Sequence, residues 1–129
     1  MAVILIVEDA WFSRRILCKV LQGMGHVTLE ASNGREGLDL ANANKPDCMF
    51  LDLLMPEVDG FQVLKTLQAQ GSKLPVIVLT ADTQTTSRQE CLNLGAIAVL
   101  NKPGKPDEVR DWLKKALLLN QELNNEANS

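Results

Sequence analysis

Five short apolar runs recur at regular intervals along the chain, and most of them are rich in β-branched residues. They are Val3-Ile4-Leu5-Ile6-Val7, Val27-Thr28-Leu29-Glu30-Ala31, Cys48-Met49-Phe50-Leu51, Val76-Ile77-Val78-Leu79 and Ala96-Ile97-Ala98-Val99-Leu100. The first, third and fourth do not alternate apolar with polar, which predicts strands covered on both faces. Between the runs the apolar residues take helical spacing. Ile16, Leu17, Val20, Leu21 and Met24 predict one buried stripe, Leu38 and Ala41 part of a second, and Phe61, Leu64 and Leu67 a third. Cys91, Leu92 and Leu94 make a weak fourth, and Val109, Trp112, Leu113, Ala116 and Leu117 the clearest, a fifth. Asn33 followed by Glu36 resembles a capping box, Asp59 precedes the third helix, and Pro106 with Asp107 and Glu108 suits a helix start. Gly71 and Gly95 fall where helices stop. Five strands alternating with five flanking helices predict a doubly wound α/β fold, a parallel sheet covered on both faces by right-handed crossovers. Strand order 2-1-3-4-5 is the commoner arrangement for that alternation.

At 129 residues the chain suffices for one ordinary core, so a single domain is expected, with no internal repeat and no linker. The end, Asn120 to Ser129, is polar and Asn-rich and is expected to fray. The longest apolar stretch, Met1 to Val7, is far short of the roughly 18 to 20 residues that cross a bilayer. No basic segment precedes it and no small-residue cleavage site follows, which predicts a cytoplasmic protein without membrane insertion. A net charge of -3 without a basic run leaves no electrostatic footprint for direct nucleic-acid binding. Cys18, Cys48 and Cys91 are widely spaced, form no Cys-x-x-Cys pair and do not cluster with the single histidine, His26. They read as free thiols packed in the core rather than zinc ligands, and His26, between Gly25 and Val27, as a loop residue.

In open α/β sheets the chemistry lies beyond the carboxyl ends of the strands. There the sequence places Glu8 and Asp9 after the first strand, Asp52 after the third, Thr80 and Ala81 after the fourth, and Lys102-Pro103 after the fifth. In the predicted order Asp52 stands between the acidic pair and Thr80, each about 5 Å away in backbone terms, with Lys102 roughly 10 Å off. Only a long side chain closes that second gap, and a lysine is what the fifth strand supplies. Three carboxylates facing one ammonium repel one another, and a divalent cation relieves the conflict. Oxygen donors of this kind suit Mg²⁺. The natural guest opposite the metal and the lysine is a phosphoryl group, which asks for positioning and electrostatic stabilisation. A lone Asp after a strand is more often a turn residue and a lone Lys-Pro a loop; four strand ends that fit one cavity are a different matter.

With Val7-Glu8-Asp9, Asp52-Leu53-Leu54-Met55-Pro56, Asp59-Gly60, Thr80-Ala81 and Lys102-Pro103 in place, the chain resembles a two-component response-regulator receiver domain. The likeness covers residues 2 to about 119 and is nearest in layout to single-domain, CheY-like chemotaxis regulators. It implies a flavodoxin-like fold, a receiver over residues 1-119 and a polar tail over 120-129 with no output domain. It further implies that Asp52 is the phosphoacceptor and that Asp9, Asp52 and the backbone carbonyl of Leu54 ligate Mg²⁺, with Glu8 acting through metal-bound water and Mn²⁺ able to substitute. Thr80 would hydrogen-bond the phosphoryl group, Ala81 leave it room, and Lys102 pair with its charge. The implied donor is a phosphohistidine on a sensor histidine kinase or phosphotransfer protein. The implied output is a separate protein met through the face of helix 4, strand 5 and helix 5, by a monomer or weak dimer. The family also tends to place a cis peptide before the proline that follows the lysine. On this reading the protein assists its own phosphorylation and dephosphorylation and is not otherwise an enzyme.

Two positions depart from the family pattern. Val99 stands where many receivers carry a Tyr or Phe that turns inward on activation, and Gly104 where a bulky apolar residue is common. A rotating ring at residue 99 cannot report the switch here. Rival readings remain. A receiver that only docks, or that serves as a phosphate sink, would share the same residues. A haloacid-dehalogenase-type phosphatase would want Asp-x-Asp after the first strand, where this chain has Glu8-Asp9-Ala10-Trp11, and a nucleotide or flavin carrier would want a phosphate-cradling loop that is missing.

Overall fold

A computed structural model describes residues 1–82 and 84–128. The elements run β1 (Val3–Val7), α1 (Trp11–Gly23), β2 (Val27–Ala31), α2 (Gly34–Asn44), β3 (Cys48–Leu51), α3 (Gly60–Ala69), β4 (Val76–Thr80), α4 (Thr85–Asn93), β5 (Ala98–Asn101) and α5 (Pro106–Asn128). The strands pair in parallel in the order β2-β1-β3-β4-β5.

Side chains alternate across the pleat, so each strand feeds two cores. Leu5, Val7, Met49, Leu51 and Val78 pack against Ala41 of α2, Val63 and Leu64 of α3 and Cys91 of α4. Ile4, Ile6, Phe50 and Ile77 pack against Cys18 and Leu21 of α1 and Val109, Leu113 and Ala116 of α5. The central strands β1, β3 and β4 are therefore apolar on both faces, whereas the edge strand β2 is buried only at Ala31. All three cysteines are buried free thiols. Val7 pairs with both Ala31 and Leu51, which brings the carboxyl ends of β2, β1 and β3 level, and Leu51 pairs with Val78, so that β4 runs two residues further to Thr80.

Helix ends follow local chemistry. Asn33 Oδ1 accepts from the Glu36 N–H at 2.8 Å and Asp59 Oδ1 from the Gln62 N–H at 2.9 Å. The capping box is only half made, because the Glu36 carboxylate accepts from the Ser32 hydroxyl at 3.2 Å instead of returning to Asn33. Gly71 and Gly95 take φ of +70° and +103° just past α3 and α4, a region that glycine enters without a Cβ penalty. His26 caps the corner before β2, its Nδ1 accepting from the Ala2 N–H at 3.1 Å.

Three expectations change. The inner face of α1 is Leu17, Cys18, Leu21 and Met24, with Ile16 47% exposed, so the stripe is turned toward the small Cys18. β5 begins at Ala98 rather than Ala96, because the Ala96 N–H is still bonded to the Cys91 carbonyl at 3.0 Å and completes the exit from α4. The end beyond residue 119 does not leave the helix: α5 continues to Asn128, no Gly or Pro interrupts it after Pro106, and Asn120 Nδ2 donates to Asp47 Oδ1 at 3.2 Å. Ser129, the last residue of the expected tail, lies outside the described residues.

Candidate functional site

The aligned strand ends assemble the acidic residues from two neighbouring strands. Glu8 follows β1 and is buried; its N–H donates to the Ala31 carbonyl at 3.0 Å, which continues the β1–β2 ladder by one residue. Asp9 beside it is exposed. Asp52 follows β3, is 5% exposed, and donates its N–H to the Val7 carbonyl at 3.0 Å. One carboxylate oxygen from each of Glu8, Asp9 and Asp52 lies within 4.8 Å of the others. Asp52 Oδ1 also faces the Leu54 N–H at 3.4 Å, and the Leu54 side chain is 57% exposed. Gly60 lets α3 start directly on this turn: a Cβ there would stand 2.5 Å from the Asp52 carbonyl oxygen and 2.7 Å from Leu53 Cα.

The other side of the site comes from β4 and β5. The Lys102 N–H donates to the Thr80 carbonyl at 2.9 Å, and the Lys102–Pro103 peptide is cis. The lysine side chain crosses in front of β4, so that Nζ forms an ion pair with Glu8 Oε1 and stands 3.3 Å from Asp52 Oδ2. Thr80 is fully buried, and its Oγ1 accepts from the Asp82 N–H at 3.1 Å; Ala81 between them is exposed.

Burial, joined by the hydrogen bond to Asp52, pushes the Glu8 carboxyl up to about 7 against the opposing pull of Lys102. Burial acts to lower the Lys102 ammonium, but the hydrogen bond to Glu8 and the Asp52 charge outweigh it and the net shift is upward. The second Glu8 oxygen, Oε2, is buried without a hydrogen-bond partner. An orphaned carboxylate oxygen beside two further carboxylates is a donor set for a hard, oxygen-seeking divalent cation, and Mg²⁺ fits it.

A largely apolar cavity of about 280 Å³ opens beside these groups, walled by Leu17 and Val20 of α1, Phe50, Leu79 and Gly104. Ile16 of α1 also lines it and is 47% exposed, and Trp11 and Phe12 at the start of the same helix are 65% and 69% exposed.

The strand ends thus bring together the side chains of Glu8, Asp9, Asp52 and Lys102, while Thr80 closes the neighbouring strand β4 with Ala81 just beyond it. Three further residues stand outside the strand-end motifs. Arg14 donates from Nη1 to the Glu8 carbonyl at 2.8 Å. Asp82 turns toward α4, its Oδ1 accepting from the Gln84 N–H at 2.9 Å. Arg88 Nη1 donates to the Val99 carbonyl at 2.8 Å and ties α4 to β5 behind the position that lacks an aromatic ring. The Asp82 contact spans only two residues of one loop, whereas Arg14 and Arg88 find backbone carbonyls that residue spacing alone does not place.

Residues 4–114 match the family model of the response regulator receiver domain. The sporulation initiation phosphotransferase F of Bacillus subtilis is 37% identical over 116 residues, which cover 90% of this chain and 94% of that protein. The transcriptional regulatory protein SrrA of Staphylococcus aureus is 42% identical over 106 residues, 82% of this chain but 44% of that protein. Among solved structures, the chemotaxis protein CheY4 of Vibrio cholerae superposes with a TM-score of 0.83 at 31% identity, covering 91% of this chain and 99% of that one.

Proposed function

The chain belongs to the response regulator receiver domain family, and we propose on that footing that it takes a phosphoryl group onto Asp52 in a Mg²⁺-dependent reaction and passes the signal to a separate protein. The observation that carries the proposal is the Lys102 ammonium 3.3 Å from Asp52 Oδ2, beside the unpartnered oxygen of Glu8. Asp9, Asp52 and the Leu54 carbonyl would hold Mg²⁺, with Glu8 acting through water and Mn²⁺ an acceptable substitute. When bound, the cation offsets the charge of the carboxylates and of the incoming phosphoryl oxygens.

The work of the chain's own residues follows from their placement. An Asp52 carboxylate oxygen bonds to phosphorus as the bond from phosphorus to the donor's imidazole nitrogen breaks, and the donor histidine of a sensor kinase or phosphotransfer protein leaves. Lys102 pairs with the transferred charge, the Thr80 hydroxyl donates to a phosphoryl oxygen, and the small Ala81 leaves it space. Hydrolysis of the acyl phosphate in the same site resets the protein, so its chemistry is self-modification. Exposed Trp11, Phe12 and Ile16 beside the acids support a protein donor, because they offer contact area that a small acyl phosphate would not use. Output through α4, β5 and α5 is supported by the hydrogen bonds that the Asp82 N–H donates to Thr80 Oγ1 and the Gln84 N–H donates to Asp82 Oδ1. No helix among the described residues is long and apolar enough to cross a membrane. Action in the cytoplasm, as a monomer or weak dimer, is part of the same proposal.

Incubation with Mg²⁺ and acetyl phosphate, followed by mass spectrometric mapping, tests the assignment. Modification is expected at Asp52, and none in Asp52→Asn or without divalent metal. Undiminished labelling of Asp52→Asn at another residue would overturn it.

A further inference from the structure

The turn that carries Glu8 and Asp9 lacks the usual means of holding a helix start. α1 begins after Ala10, whose side chain makes no capping hydrogen bond, and its first turn has no acidic residue. Two contacts restrain the turn instead. The Glu8 N–H is held by the Ala31 carbonyl, and the Glu8 carbonyl receives Arg14 Nη1 at 2.8 Å. Arg14 is only 13% exposed and is fixed from its other edge, Nε donating to Glu30 Oε1 at 3.0 Å. The second Glu30 oxygen is taken by Arg15 Nη1 at 2.6 Å.

We propose that Arg14 is a positioning residue for metal binding, a planar clamp that spans β2 and the Glu8 carbonyl and so sets where the Glu8 and Asp9 carboxylates stand. The inference rests on the phosphoacceptor reading of the site and adds a residue to it. A guanidinium presents donors at fixed angles, so bonds from Nε and Nη1 of one group define the separation of Glu30 and the Glu8 backbone. Glu30 offsets the charge of the clamp, which lets Arg14 orient the acids without competing with a cation for them. Arg15 shares Glu30 but makes no bond to the Glu8 carbonyl, and is therefore the internal control.

Outer partners that orient ligands are typically worth about 10- to 100-fold in metal affinity. Mg²⁺ binding by calorimetry, and the rate of Asp52 labelling by acetyl phosphate against Mg²⁺ concentration, are measured for the wild type, Arg14→Met, Arg14→Lys and Arg15→Met. Arg14→Met is expected to lower Mg²⁺ affinity about 10-fold and to raise the half-saturating Mg²⁺ equally, while the rate at saturating metal stays within about twofold. Arg14→Lys keeps the charge but not the two-edged geometry, so it is expected to fall between; it also serves if the Met variant does not fold. Arg15→Met is expected to bind Mg²⁺ as the wild type does. Unchanged affinity in both Arg14 variants, or an equal loss in Arg15→Met, would overturn the clamp while leaving the site intact. A wild type that takes no Mg²⁺ would overturn the reading of the site and the clamp with it.

Discussion

Lys102 Nζ stands 3.3 Å from Asp52 Oδ2 although a whole strand, β4, separates the strands that precede the two residues. The side chain crosses that strand and finds Glu8 as well as Asp52. In the resting protein the ammonium thus occupies part of the field that a divalent cation would fill.

Lys102→Met is therefore expected to bind Mg²⁺ more tightly, by at least roughly fivefold, since charges some 4 Å apart interact by about 1 kcal/mol even in bulk water. Labelling of Asp52 by acetyl phosphate is expected to slow in the same variant, because the ammonium proposed to pair with the phosphoryl charge is gone. Calorimetry and mass spectrometry read the two effects separately. Weaker Mg²⁺ binding in the variant would count against the competition.

Thr80 is the buried end of a short chain of hydrogen bonds that runs through the Asp82 N–H and the Asp82 carboxylate to the Gln84 N–H at the start of α4. Thr80→Val keeps the shape and removes the acceptor. Amide exchange in residues 84–93 is expected to quicken, by roughly fivefold if a bond worth about 1 kcal/mol is lost. Asp52 is expected to remain modifiable, but the exchange difference that a phosphoryl mimic produces between Ala81 and Leu94 is expected to vanish. An unchanged response in the variant would place the output elsewhere.

Gly60 carries the start of α3 against the backbone of Asp52, with room for no Cβ. Gly60→Ala is expected to cost about 2 to 3 kcal/mol by overpacking, because the atoms it meets are backbone and cannot rotate away. Denaturant titration measures that loss. Slower Asp52 labelling in whatever fraction folds is expected too, since α3 can make room only by shifting the turn that carries Asp52.

Glu30 supplies the pH dependence. Burial acts to raise its carboxyl, but the hydrogen bonds from Arg14 and Arg15 outweigh this and hold it below the ordinary glutamate value. With the folded value below the unfolded one, the stabilisation is present above about pH 4.5 and is lost as pH falls through the folded value. Glu30→Gln is expected to destabilise the protein at pH 7 and to make little difference near pH 3. The side chain is 30% exposed, so the loss is limited to about 1 kcal/mol by solvent screening. Equal destabilisation at both pH values would assign the effect to packing.

The fold was legible because β1, β3 and β4 are apolar on both faces and their carboxyl ends coincide with Asp9, Asp52 and Thr80. Side-chain length did the rest for Lys102, since only a lysine or arginine reaches across β4. The face of α1 was misjudged because Ile16 is larger and more apolar than Cys18, yet the small thiol is the one that fits against the sheet. Composition likewise concealed the reach of α5: a polar, Asn-rich end carries no stripe, although nothing in it stops a helix. Arg14 lay outside any motif because its partners, Glu8 and Glu30, meet only once β2 has paired with β1.

The position of β1 inside the sheet bears on the order in which the site comes into being. With β2 on one side and β3 on the other, residues 3–51 already hold three adjacent strands, and β4 and β5 extend the same edge in turn. All three carboxylates belong to the first 52 residues, whereas Thr80 and Lys102 arrive with the last two strands. During N-to-C synthesis the negative half of the site is made first and waits for its counterion. The last strand made is the one that delivers the compensating charge, and any product that stops short of Lys102 keeps an acidic cluster with no ammonium to face it.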